Sequence, residues 1–189
     1  MAVPATVGVL ALQGAFDVHR MALEQLGARA ILVRTERQLN ECDALVLPGG
    51  ESTTMLKLLN DEALKEPLAD FARRKPVLAT CAGVILLARE VTHPVQESLG
   101  ILDLVVERNG YGRQIDSCIA TIDLAGTPLE AVFIRAPIIR SVGPSVKTLA
   151  TMAGNPVLVE QGRHLAATFH PELTQDRLVH RLFLSKLDS

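Results

Sequence analysis

The sequence contains no tryptophan and a single tyrosine, and aromatic residues make up only 3% of its 189 residues. Proteins that bind single-stranded nucleic acid rely on aromatic side chains as stacking platforms, so this scarcity argues against that function. The formal net charge is -2 and there is no basic run. A nucleic-acid surface needs clustered lysine and arginine, so we expect no nucleic-acid partner.

Long apolar segments and paired cysteines are missing as well. No apolar stretch reaches the ~20 residues that a membrane-spanning helix needs, and the first residues have no basic region typical of a signal peptide. The sequence has three cysteines, Cys42, Cys81 and Cys118, which lie far apart. An odd, dispersed set predicts neither a disulfide framework nor a CxxC metal site, and is typical of the reducing cytosol.

The hydrophobic pattern indicates an α/β fold. Buried strands are predicted at 6–12, 30–34, 44–47 and 77–80, and helices connect them. The first helix is predicted from Asp17, as its cap, to Leu26, with Val18, Met21, Ala22 and Leu26 on its apolar face. A further helix is predicted over 61–74, with Pro67 as a possible break. Strands joined by helices predict a doubly wound, mostly parallel sheet, here in a single domain over 1–189.

The second half of the chain has shorter strands separated by turn residues. Strands are predicted at 102–108, 117–123 and 131–134, and an antiparallel meander is predicted at 147–152, 157–161 and 164–169. Thr174 is the expected cap of a final helix that extends to about Leu187. The sequence therefore predicts an antiparallel extension of the parallel sheet in its C-terminal half.

Cys81 follows the strand at 77–80 and precedes an apolar run, predicted to be helical, that ends at Arg89-Glu90. Strand, sharp turn and helix together are typical of a nucleophile elbow, which exposes the side chain at the turn. The N-terminus of a helix also favours a thiolate over a thiol. The alternative is an inert buried cysteine, since free cysteines are among the most buried residues.

His170-Pro171-Glu172 follows the last predicted strand of the meander. In an extended segment, residues i and i+2 point the same way, so Glu172 could orient one ring nitrogen while the other faces Cys81. The alternative is an ordinary surface histidine beside a helix start. The four remaining histidines are interpreted as surface or structural residues: His19, His93, His164 and His180.

A glycine-rich loop, L-P-G-G-E-S-T-T over 47–54, connects a strand to a helix. It lacks the G-K-[ST] ending of a phosphate-binding loop, and Glu51 would repel phosphate. Backbone N–H groups at Gly49 and Gly50 suit the oxyanion of a tetrahedral intermediate instead. A plain tight turn would explain one glycine, but explains less well two glycines followed by a polar run.

Six segments together carry a resemblance to a known family. They are G-V-L-A-L-Q-G (8–14), L-P-G-G-E-S-T-T (47–54), T-C-A-G (80–83), E-R-N-G-Y-G-R-Q (107–114), F-I-R-A-P (133–137) and F-H-P-E-L (169–173). This combination resembles the glutaminase subunits of pyridoxal 5′-phosphate synthase, which belong to the class I (triad) glutamine amidotransferases. The resemblance covers nearly the whole chain and implies a flavodoxin-like sheet.

The resemblance implies Cys81 as nucleophile, His170 as base and Glu172 as the residue that orients His170. It further implies a set of glutamine contacts: Gly49, Gly50, Glu51, Arg108, Ile134 and Arg135. A cation is needed for the α-carboxylate of glutamine and an acceptor for its α-ammonium. The N–H groups of Gly50 and Ala82 would be the oxyanion donors.

The same resemblance implies L-glutamine as the substrate and the barrel-shaped synthase subunit as the partner. It also implies a cytoplasmic location, no cofactor and no metal.

The sequence departs from the family pattern in two places. One departure lies beside the nucleophile, because the family usually has glycine where this chain has Ala79. A second lies in the centre of 109–112. Two alternatives stay open, a DJ-1/PfpI-like cysteine hydrolase and a binding subunit that has lost its activity.

Overall fold

The computed structural model describes residues 5–110 and 117–187. Along the chain the strands are β1 (Thr6–Leu10), β2 (Arg29–Val33), β3 (Ala44–Leu47), β4 (Val77–Thr80), β5 (Ala88–Thr92), β6 (Leu102–Glu107), β7 (Ser117–Leu124), β8 (Thr127–Ile134), β9 (Ile138–Val142), β10 (Val146–Met152), β11 (Asn155–Gln161) and β12 (His164–Ala167). The helices are α1 (Phe16–Gln25), α2 (Glu36–Asn40), α3 (Ser52–Asp61), α4 (Lys65–Arg74), α5 (Ala82–Leu87) and α6 (Leu178–Ser185), with a 3₁₀ turn at Pro171–Leu173.

A seven-stranded sheet forms the centre of the molecule, in the order β10-β11-β12-β4-β3-β1-β2. The strands from β12 to β2 pair in parallel, whereas β10 and β11 continue the sheet in antiparallel fashion. A three-stranded sheet, β5-β6-β9, and a hairpin, β7-β8, complete the structure. The predicted fold class is confirmed, including the antiparallel extension in the C-terminal half.

Apolar residues cover both faces of the central sheet. On one face, Met55 of α3 and Phe71 of α4 belong to the same buried cluster as Leu47 and Ala79. On the other face, Leu23 of α1 and Phe183 of α6 join the cluster that contains strands β1, β3 and β4. Burial on both sides explains why the central strands read as continuous apolar runs rather than alternating patterns.

The apolar face of α1 differs from the predicted one. His19, Ala22 and Leu23 are the buried residues of this helix, whereas Val18 and Met21 are exposed. The helix begins at Phe16 after Ala15, with no side-chain cap, so the expected cap at Asp17 was wrong. The buried face is therefore shifted by about one residue from the predicted face. It includes His19, which the hydrophobic pattern did not select.

Element boundaries also differ in three other places. The apolar run after Cys81 divides into the short helix α5 and strand β5, because the chain turns there to start the three-stranded sheet. Pro67 lies in the first turn of α4, where a proline is tolerated, and does not break it. The final helix begins at Leu178 after Arg177, so Thr174 is not its cap.

No helix among the described residues is both long and apolar enough to cross a membrane.

Candidate active site

Cys81 occupies the sharp bend between β4 and α5. Its backbone has φ 47° and ψ -108°, in a region that L-residues rarely adopt. The Cys81 N–H donates to the carbonyl of Ala167 at 2.8 Å, which ties the bend to β12. A side chain at Gly83 would lie 2.3 Å from the carbonyl oxygen of Leu47, so glycine is required there. The bend has the geometry expected of a nucleophile elbow.

Ala79 lies inside β4 and pairs in register with Leu47 of β3 and Ala166 of β12. Its side chain is fully buried in the cluster that also contains Ala82. The strained dihedral angles belong to Cys81, two residues further along. The alanine at this position is therefore accommodated by the sheet, and the bend forms with it in place.

His170 lies three residues after the end of β12, at the same edge of the sheet as Cys81. Its N–H donates to the carbonyl of Val132 at 2.8 Å, and its Nδ1 lies 2.7 Å from Oε1 of Glu172. Burial opposes protonation of the ring, but the neighbouring Cys81 and Glu172 outweigh it and raise the pKa of His170 to about 10. The two neighbours thus favour the protonated form of the ring.

Glu172 contacts His170 through a 3₁₀ turn rather than an extended segment. Pro171–Leu173 forms this turn, so the expectation of an extended segment was wrong although the contact that it predicted is present. Glu172 is 2% exposed. Burial disfavours its charged form, but His19 and His170 on either side outweigh burial and hold its pKa well below the usual range.

The glycine-rich loop approaches the cysteine and the histidine closely. A side chain at Gly49 would lie 2.6 Å from Cε1 of His170 and 3.1 Å from Cβ of Cys81. A side chain at Gly14 would lie 1.8 Å from the carbonyl oxygen of Gly49. Oε1 of Gln13 accepts from the N–H of Glu51 at 2.9 Å and fixes the far end of the loop. Glycine at these positions keeps the backbone against the site.

Glu51 caps α3 and also faces the cavity. Its carboxylate accepts from the N–H groups of Thr53 and Thr54 at 3.1 and 2.7 Å. Burial opposes ionisation, yet the hydrogen bonds from Thr53 and Thr54 prevail and lower the pKa of Glu51 to about 2. Nη2 of Arg108 lies 3.3 Å from Oε1 of Glu51. A cation and an anion thus lie side by side at the wall of the cavity.

These residues line one cavity of about 260 Å³. All the site residues predicted from the sequence except Glu172 contribute to its wall: Gly49, Gly50, Glu51, Cys81, Ala82, Arg108, Ile134, Arg135 and His170. Glu172 lies behind His170, away from the cavity. Sγ of Cys81 is 3.7 Å from the carbonyl oxygen of Ile134. Of the divergent segment 109–112, Asn109 lines the cavity, whereas residues 111 and 112 lie outside the described residues.

His19 and His180 are buried polar residues that sequence reasoning did not connect to this site. Nε2 of His19 lies 3.2 Å from Oε2 of Glu172, and Nδ1 of His19 lies 2.9 Å from Nε2 of His180. The spacing of His19 with Ala22 and Leu23, at i, i+3 and i+4, is typical of a buried helix face. The sequence could therefore have predicted that His19 is buried, but not that it contacts Glu172.

Comparison with known proteins shows the family of the chain. The model of the SNO glutamine amidotransferase family matches residues 9–189. The chain belongs to this family. A pyridoxal 5′-phosphate synthase subunit PdxT of Solibacter usitatus (strain Ellin6076) is 58% identical over 189 residues, covering 96% of this chain and 98% of the relative. The PdxT of Deinococcus radiodurans is 54% identical over 187 residues, covering 95% of each.

Solved structures of glutamine amidotransferases show the same fold. One such structure superimposes with a TM-score of 0.90 at 43% identity, covering 97% of this chain and 99% of its own. A putative GMP synthase subunit from Thermoplasma acidophilum gives a TM-score of 0.72 at 18% identity, covering 100% of this chain and 96% of its own. The second likeness concerns the fold alone. Membership of the SNO glutamine amidotransferase family rests on the family match and the close relatives.

Proposed function

We propose that this protein hydrolyses L-glutamine to L-glutamate and ammonia, as the glutaminase subunit of a pyridoxal 5′-phosphate synthase. The observation that carries the proposal is the elbow at Cys81, which shares one cavity with His170 and with the backbone of Gly49, Gly50 and Ala82. Membership of a glutamine amidotransferase family and relatives named PdxT support the same function.

Cys81 is the proposed nucleophile. Its thiolate attacks the side-chain carbonyl carbon of glutamine, and the negative charge that develops on the oxygen is stabilised by the N–H groups of Gly50 and Ala82. Protonated His170 gives its proton to the departing nitrogen as the C–N bond breaks. Ammonia leaves, and the glutamyl group remains on Cys81 as a thioester.

Water completes the reaction. Neutral His170 takes a proton from a water molecule, which attacks the thioester carbonyl, and the C–S bond breaks to release glutamate. Cys81 returns to the thiolate and His170 to the imidazolium, so the cycle consumes one glutamine and one water. Glu172 holds Nδ1–H of His170 and stabilises its positive charge.

The pair formed by Glu51 and Arg108 suits the backbone groups of a free amino acid. A glutamine zwitterion placed between them would offer its α-ammonium to Glu51 and its α-carboxylate to Arg108, at the cost of their own 3.3 Å contact. Arg135, which is exposed at the rim, is a second candidate for the α-carboxylate. The main chain at Ile134 completes the proposed glutamine contacts.

Ammonia released here would pass to the synthase subunit, which uses it to build pyridoxal 5′-phosphate. We propose a hetero-oligomeric complex of the two subunits in the cytoplasm, in which this chain acts as one domain. The family match is to glutamine amidotransferases and gives no support to the DJ-1/PfpI-like alternative. The alternative of an inactive binding subunit was linked to Ala79, and the bend at Cys81 forms with Ala79 in place; the assay below decides between activity and binding alone.

The test is glutamine hydrolysis with and without the purified synthase subunit, for the wild-type chain and for Cys81→Ala. The proposal expects glutamate and ammonia in equal amounts from the wild-type complex, and loss of both with Cys81→Ala. Undiminished release by Cys81→Ala would refute the nucleophile. Normal complex formation without any hydrolysis by the wild-type chain would select the alternative of an inactive binding protein.

A further inference from the structure

Behind the cavity, a chain of buried polar groups extends from Glu172 into the core. His19 of α1, Thr80 of β4 and His180 of α6 have no exposed surface. Nε2 of His19 lies 3.2 Å from Oε2 of Glu172 and 3.2 Å from Oγ1 of Thr80. Nδ1 of His19 lies 2.9 Å from Nε2 of His180. Buried polar groups of this kind are costly unless each one is paired.

The carboxylate of Glu172 has two oxygens in different situations. Oε1 is occupied by Nδ1 of His170 at 2.7 Å. Oε2 is buried and makes no well-aligned hydrogen bond among the described residues, and Nε2 of His19 is the polar atom within ion-pair distance of it. An ionised carboxylate only accepts hydrogen bonds. The nitrogen that faces Oε2 must therefore carry a proton, whether the His19 ring is neutral or charged.

We propose that His19 is a positioning residue for the glutaminase reaction. It presents an Nε2–H that is shared between Oε2 of Glu172 and Oγ1 of Thr80. This contact holds Glu172 in the orientation that keeps its other oxygen on His170. Because Thr80 directly precedes Cys81, one imidazole links the strand that carries the nucleophile to the acid that orients the base. The inference rests on the proposed roles of Cys81, His170 and Glu172.

His180 supports His19 from the side opposite to Glu172. Its ring lies 5.2 Å from the ring of His19, centroid to centroid, and its Nε2 contacts Nδ1 of His19. Burial is the main cause that lowers the pKa of His180, and the nearby His19 adds to it. The pKa falls to about 3, so His180 is neutral. A neutral imidazole can donate to or accept from Nδ1 of His19, so it fixes the ring of His19 without adding a second charge.

Two amide substitutions separate the contacts that His19 makes. The amide of glutamine reaches the position of Nε2, so His19→Gln keeps a donor for Glu172, whereas the amide of His19→Asn reaches only the position of Nδ1. We expect His19→Asn in the complex with the synthase subunit to lose about 10- to 100-fold in kcat, with KM for glutamine within about threefold of wild type. His19→Gln should retain at least tenfold more kcat than His19→Asn.

His164→Asn is the matched control. His164 is a half-buried histidine, and its Nδ1 accepts from the N–H of Val77 at the opposite end of β4. The amide of His164→Asn can still accept from Val77, so this variant replaces a histidine ring by an asparagine away from the site and should leave kcat unchanged. If His19→Gln and His19→Asn lose kcat equally, or if His19→Asn keeps wild-type kcat, the positioning role is wrong.

A measurement on the unsubstituted chain covers the case in which a variant does not fold. Imidazole nitrogen NMR of the wild-type protein should show a proton on Nε2 of His19 throughout pH 6–9, and a bare Nε2 would overturn the inference. Cys81→Ala, assayed beside the His19 variants, distinguishes the two proposals. Hydrolysis retained by Cys81→Ala refutes the proposed function itself, whereas hydrolysis lost with Cys81→Ala but normal in both His19 variants refutes the role of His19 alone.

Discussion

Gly49 is the position where the smallest possible substitution should have the largest effect on hydrolysis. The Cβ of an alanine there would lie 2.6 Å from Cε1 of His170. Carbon atoms in contact normally stay about 3.5 Å apart or more, so the ring or the loop must move by about 1 Å. A misplacement of about 1 Å in an active site can cost about 100-fold in rate. We therefore expect Gly49→Ala to lower kcat about 100-fold.

The assay is steady-state glutamine hydrolysis in the complex with the synthase subunit, together with thermal unfolding of each variant. Gly126→Ala is the control, because Gly126 has φ 85° and nothing lies within 4 Å of its added Cβ. That variant loses only about 1 kcal/mol of stability through its backbone conformation, and should keep its activity. Wild-type kcat in Gly49→Ala would contradict the close packing of the loop against His170 and with it the proposed site.

Three further predictions concern residues around the cavity. Glu172→Gln should lower kcat and destabilise the protein by about 1.5–3 kcal/mol at pH 6.5, the usual contribution of a hydrogen bond to a charged group. This contribution needs an ionised carboxylate and a protonated ring, so it is complete only between about pH 4.5 and pH 6.5, the ordinary pKa values of the two groups. It is lost as the pH rises through the pKa of His170, which Cys81 and Glu172 together raise to about 10, so the difference between the two unfolding curves in urea should shrink over that range. Glu51→Gln should raise KM for glutamine by tenfold or more while kcat changes less, and it should cost about 1 kcal/mol through the weakened cap of α3; an unchanged KM in initial-rate measurements would remove Glu51 from glutamine binding. Ala79→Gly should keep kcat within about threefold of wild type and lose about 0.5–1 kcal/mol of stability, as expected for glycine inside a strand; a marked gain in kcat would show that the alanine does distort the elbow.

The parallel sheet could be predicted from the sequence because each central strand is a short apolar run followed by a loop. Runs at 6–12, 44–47 and 77–80 correspond to β1, β3 and β4, and burial on both faces makes such runs easy to recognise. Strands β5 and β9 and helix α2 were missed. Helix α2 has five residues, and its cap, a reciprocal pair formed by Thr35 and Gln38, is a local signal that the hydrophobic pattern does not contain.

The candidate site followed from motifs that lie at the ends of parallel strands. Cys81, His170 and the loop at Gly49 are far apart in the sequence, but the sheet topology brings strand ends to a common edge. The role of His19 could not be inferred in this way. Its position becomes meaningful only when α1 and α6 pack against the same face of the sheet and place two histidines beneath Glu172. Tertiary packing, and not local pattern, determines that contact.

The central claim is that Cys81 forms a covalent intermediate with the side-chain carbonyl of glutamine. The most direct measurement is intact-mass and peptide analysis after treatment of the complex with a diazo or chloroacetyl analogue of glutamine. The chain offers two other thiols, Cys42, which is buried and has a pKa raised to about 11 by that burial, and Cys118 on β7. We predict one adduct per chain, on Cys81, and its suppression by L-glutamine. Labelling of Cys42 or Cys118 with Cys81 unmodified would contradict the claim.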